Sequence, residues 1–166
     1  IICMFAGGKF NGNISKWDVS NVETMMCMFE NTPFNDDISK WKVHYVTNMD
    51  NMFRYSKFNG DISIWDVSSV TSMSEMFYKS EFNGNISKWD VSYVDNMYRM
   101  FAGGKFNGNI SKWNVSNVNF MESMFENTPF NGDLSKWKVS SLQSKDDMFK
   151  NCPFDDSKLK WNLCNY

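Results

Sequence analysis

The sequence predicts an α/β repeat solenoid of seven 24-residue coils. Three observations predict it. Tryptophan returns every 24 residues, at Trp17, Trp41, Trp65, Trp89, Trp113, Trp137 and Trp161. Within a unit, Trp17 and Val19 alternate around Asp18, the period-two signal of a short strand. Val22, Met25, Met28 and Phe29 then follow at spacings of three and four, the signal of a short helix or 3-10 turn. One such unit cannot cover its own apolar face, and stacking of neighbours buries it. The expected architecture has short parallel strands on one side and short helical turns on the other. Seven coils at roughly 4.8 Å each make a rod about 34 Å long.

Each element has its own justification. The strand is Trp17-Asp18-Val19 and its equivalents. Ser20 is placed to cap the following helix, with Glu23 completing an approximate capping box. Asn-Gly before Ile14, as at Asn11-Gly12, reads as turn chemistry, because both residues tolerate positive φ. A column of Asn11, Asn35, Asn59, Asn83, Asn107 and Asn131 is suited to a ladder in which buried side chains bridge backbone groups of successive coils. Phe10 and Trp17 recur too strictly to be a stacking platform for ligands and are assigned to the core. Residues 6–17 are identical to residues 102–113, four units on, so a block of four units was duplicated.

The chain reads as a single repeat domain over residues 1–166. It opens inside a unit, which marks it as a fragment of a longer protein. Lys145 and Lys158 replace the usual Met and Ile, so the last coils are expected to be worn. Net charge is −2 and apolar residues make up 42%. This is neither the excess charge of a disordered chain nor the basic excess of a nucleic-acid binder. No run of about 18 apolar residues is present, so no direct membrane insertion is expected of this fragment.

The phrase Ile14-Ser15-Lys16-Trp17-Asp18-Val19-Ser20-Asn21-Val22 fits leucine-rich-repeat spacing, with Trp and Val in two leucine slots. With the Met28-Phe29 pair that follows, the unit resembles the repeats of BspA-like bacterial surface proteins and of mycoplasma lipoprotein-type proteins. The likeness covers essentially the whole chain. It implies a leucine-rich-repeat-like solenoid exposed at a cell surface or outside the cell, acting in adhesion or host-protein binding. It implies no catalytic residues.

Outward slots on the expected sheet face carry the candidate partner-binding residues. They are Lys42, His44, Tyr45, Ile64, Asp66, Asp90 and Tyr93. Tyrosine and apolar anchors suit an interface, whereas the charged columns serve equally well to keep a face soluble. The expected partner is a protein or a glycan on another surface, with no nucleic acid. The alternative is a structural spacer or assembly element whose rods associate with one another. Catalytic and metal sites are not expected. His44 is the one histidine, no C-x-x-C occurs, and half the Asn-Gly-Asp-type stretches carry Asn where calcium would want carboxylates. No cofactor is implied. Cys3 and Cys27 share a slot on adjacent coils, a spacing compatible with a disulfide in an oxidising compartment.

Overall fold

The chain stacks in register at 24 residues, but through turns rather than strands and helices. A computed structural model describes residues 1–161. Its one helical element among these is a single 3-10 turn at Asp156–Lys158. The only β pairing among them is a series of isolated parallel bridges, Thr24 to Asn48, Asn48 to Ser72, Ser72 to Asn96, Asn96 to Phe120, and Phe120 to Ser144. The expected α/β architecture, with a strand ladder opposite a row of helical turns, is therefore wrong. The bridges also lie on the segment assigned to helix, not on the one assigned to strand.

The segment 73–80 shows the reason. Met76, Tyr78 and Ser80 donate their N–H groups to the carbonyls of Met73, Glu75 and Phe77, at 3.2, 3.1 and 3.1 Å. These close three linked β-turns. Met73, Glu75, Phe77 and Lys79 donate instead to Asn96, Tyr98, Met100 and Ala102 in the next coil, at 3.0, 2.8, 2.9 and 2.8 Å. Alternate amides thus serve the turn and the stack. A helix would need every amide to bond within its own segment. A strand would need extended backbone throughout, yet Glu75 and Lys79 have φ of 52° and 50°. The same slots are left-handed along the stack, as at Cys27, Asn51, Arg99 and Asp147. The three-and-four apolar spacing reflects successive turn corners that return Met73, Met76 and Phe77 to the core, where all three are buried.

The Trp-Val segment holds its neighbours differently. Trp89 and Val94 close β-turns onto the carbonyls of Ile86 and Val91, at 3.1 and 3.0 Å. The Asn85 and Asp90 side chains accept from the N–H groups of Ser87 and Ser92, at 3.1 and 3.0 Å. Ser20, expected to cap a helix, makes the same kind of turn: its N–H donates to Asp18 Oδ1 at 3.0 Å. Side chains make the links between coils here. From Trp41 to Trp137 each indole N–H reaches the Ile carbonyl of the preceding coil, as in Trp65 to Ile38 at 3.1 Å and Trp113 to Ile86 at 3.1 Å. The asparagine ladder is present as well. The N–H groups of Asn59, Asn83 and Asn107 each donate to the preceding Asn Oδ1 at 2.8 Å. It runs along an exposed edge, not a buried one.

The core between the two sides is one continuous cluster from Ile14 to Met148. Phe77 stacks on Phe82 of its own coil at 4.2 Å and on Phe101 of the next at 5.8 Å. The glycine of Asn-Gly is not at positive φ but lies against this packing, although Asp36 fills the same slot in one coil. A Cβ at Gly84 would lie 2.8 Å from the Phe82 ring. At the far end Trp161 still stacks on Trp137, with centroids 6.2 Å apart. Its buried Nε1 has no acceptor, so the indole ladder ends at Trp137. Asn162, Cys164 and Asn165, which continue the outward columns in the sequence, lie outside the described residues.

Candidate functional site

The residues singled out from the sequence lie on the face formed by the Asx turns. There is no sheet beneath them. A shallow cleft of about 250 Å³ brings Lys42, His44, Ile64 and Asp66 together. Tyr45 stands at its edge, its ring 4.3 Å from that of His44. Ser69 Oγ donates to the His44 carbonyl at 2.7 Å, fixing the backbone there. The Ser68 hydroxyl, 2.6 Å from Asp66 Oδ1, and the Ser68 N–H at 3.2 Å hold the Asp66 carboxyl below its usual range. The nearby His44 charge lowers it further. Asp90 and Tyr93 do not line this cleft; they lie one coil beyond Asp66. Tyr45, Ile64 and Tyr93 are 58%, 74% and 68% exposed. These three side chains stand outside the core cluster, on successive coils.

A second group, missed in reading the sequence, lies along the linked turns. Arg54 spans from Glu30, 2.7 Å from Nη1, to Glu75, 2.7 Å from Nε, although the Nε–H is not aimed along that line. Its guanidinium covers Tyr55 at 4.9 Å and Tyr78 at 5.3 Å. Arg99 covers Tyr78 at 5.4 Å and Tyr98 at 5.6 Å and lies 3.7 Å from Glu126. The Lys79 ammonium sits over Tyr55 and Tyr78, at 5.6 and 5.4 Å. The available signal was the recurrence of a ring beside a cation on successive coils, in Arg54-Tyr55, Tyr78-Lys79 and Tyr98-Arg99. A helical reading of the segment hides it, because a helix would not bring these positions together across coils.

Cys3 and Cys27 are neighbours, and both thiols are free. Burial first, and then hydrogen bonding to Cys3, push the Cys27 thiol up to about 12. Among the described residues no three His, Cys, Asp or Glu side chains are grouped to hold a metal ion. No helix among them is long and apolar enough to cross a membrane.

The coil-by-coil regularity is that of a family of repeats. The family model described as Mycoplasma protein of unknown function, DUF285, matches residues 2–81 and again 54–162. The chain belongs to this family. No curated protein and no solved structure gives a significant match. Membership in DUF285 replaces the closer likeness to BspA-like leucine-rich repeats. The turn-built coils of this DUF285 member accord with that correction, since the leucine-rich-repeat likeness implied a strand ladder that does not form.

Proposed function

We propose that this DUF285 chain is a non-enzymatic interaction module that binds a protein or glycan partner through the face bearing Tyr45, Ile64 and Tyr93. The exposure of those three side chains carries the reading. In the same slots other coils hold Asn21, Ser69 and Lys88, so the stack does not require an aromatic or aliphatic group there. Such anchors contribute most to an interface when a partner removes them from water. Lys42, His44, Asp66 and Asp90 supply a mixed-charge surround that would fix the partner's register. Display at a cell surface, in the manner of BspA-like and lipoprotein-type repeats, belongs to the same proposal.

The test is binding of the intact chain to host-surface extracts and to a glycan array, against a Tyr45→Ser/Tyr93→Asn variant. Both replacements already occupy that slot elsewhere, so the fold is retained. Capture by the wild type and its loss in the variant would support the module. Equal capture by both would remove this face from consideration.

One observation favours a second reading, that of a structural spacer. The identity of residues 6–17 and 102–113 gives surfaces that partly repeat after four coils, which suits lateral assembly of rods. Sedimentation that shows reversible self-association with no partner captured would select it.

A further inference from the structure

The linked-turn side carries a feature that neither the stack nor the Tyr45 face accounts for. An open cleft of about 380 Å³ lies between Ser74, Tyr98 and Glu122 on one wall and Asn96 and Phe120 on the other. Tyr98 and Phe120 are 36% and 39% exposed. The Phe120 slot holds Thr24, Asn48, Ser72, Asn96 and Ser144 in other coils. The backbone bridges of Phe120 to Asn96 and Ser144 are the same as those around a serine. The ring is therefore not demanded by the fold.

Glu122 is the only charged group lining the cleft. Its Oε2 is buried and accepts no hydrogen bond. Of the other acids on this side, Glu30 and Glu75 are paired with Arg54 and Glu126 with Arg99, and Asp50 accepts from Ser72 and Ser74. Arg99 is further held over Tyr78 and Tyr98. A buried carboxylate oxygen without a donor is unfavourable. Aromatic faces attract a cation that comes within about 6 Å of the ring centre. An anion would be repelled by Glu122, and a neutral sugar would leave its charge unmatched.

We propose that this cleft binds a lysine or arginine side chain presented by a partner polypeptide. The surroundings argue for a polypeptide over a free cation. From Tyr98 the same side continues through Tyr78 and Tyr55, with Arg99 and Lys79 over the rings and Glu75 and Glu126 paired with Arg54 and Arg99, so rings and both signs of charge run across neighbouring coils. A small cation would use the cleft alone, whereas an extended chain can also engage that row. The inference stands apart from the Tyr45 face, and loss of either leaves the other intact.

The test uses side-chain NMR of Tyr98 and Phe120 in the whole chain. The probes are a blocked hexapeptide alternating Gly and Arg, its Gly-Glu counterpart, and free ethylguanidinium. The arginine peptide is expected to shift both rings saturably, and the glutamate peptide to leave them in place. Glu122→Gln and Phe120→Ser are each expected to weaken binding by about tenfold or more. Their thermal midpoints should stay near that of the wild type, because serine already fills the Phe120 slot at Ser72 and Ser144. Equal binding of the two peptides would overturn the proposal, as would unchanged affinity in Glu122→Gln. Ethylguanidinium binding as tightly per charge as the peptide would overturn the polypeptide assignment.

Discussion

The indole Nε1 of Trp89 donates to the carbonyl of Ile62 in the preceding coil at 3.0 Å, buried on all sides. The equivalent bonds from Trp41 to Ile14 and from Trp137 to Ile110 make a side-chain ladder where no backbone ladder forms. Trp89→Phe removes the donor, strands the Ile62 carbonyl and opens a void. It is expected to destabilise the chain by about 2 kcal/mol or more, read by urea unfolding. Trp17→Phe, at a ring already 40% exposed, should lose far less. Similar losses at both positions would show that the ladder contributes little.

The left-handed slots give a prediction of opposite sign. Asp147 has φ of 54° and is exposed, and its ion pair with Lys150 is a surface one. Asp147→Gly relieves the Cβ strain and should stabilise by about 0.5–1 kcal/mol after the entropy of the unfolded chain is allowed for. Gly103, at φ of 67°, should behave in reverse. Gly103→Ala places a Cβ 2.8 Å from Lys79 Cγ on a left-handed backbone and should lower the melting temperature.

Acid sensitivity follows from the Asx turns. The carboxyls of Asp37 and Asp133 are held below their usual 3.8, chiefly by the hydroxyls of Ser39 and Ser135. That of Asp61 is lowered first by the Ser63 N–H. Because the folded values are depressed, their contribution is present above the unfolded carboxylate value and is lost as pH falls through the folded values. Asn13, Asn85 and Asn109 make the same turn without titrating. The Asp37→Asn/Asp61→Asn/Asp133→Asn variant should therefore lose less stability than wild type between about pH 7 and about pH 3. Identical acid losses would remove these turns as the cause.

The thiol pair gives a chemical readout. With its pKa near 12, Cys27 is protonated at neutral pH and should alkylate slowly. Cys3→Asn, the residue found in that slot at Asn51, removes one of the groups that raise it and should quicken alkylation of Cys27. Under an oxidant the wild type is expected to form the Cys3–Cys27 disulfide, detected by mass spectrometry of the unreduced chain. Independent modification of the two thiols, with no cross-link, would refute it.

Much of this protein was legible as spacing. The 24-residue register, the burial of Trp89, Phe82 and Met76, and the asparagine ladder all follow from which residue types recur. The secondary structure was not legible. Apolar positions three and four apart describe a helix face, and they equally describe the inward corners of linked turns. Nothing in Met73, Met76 and Phe77 distinguishes the two. The Arg54–Tyr78–Arg99 row was hidden for the same reason, because its ends are 45 residues apart in the chain and its members meet only across coils.

By itself the sequence determined the repeat, its register and its inward-facing columns, because burying apolar groups depends on residue type and period. Only the tertiary structure decided how the backbone is bonded. In segments such as 73–80 some amides bond within their own turn and others to carbonyls of the adjacent coil, and the second set of carbonyls exists only once the coils are stacked. That same stacking set Phe120 beside Tyr98 and left Glu122 Oε2 without a donor.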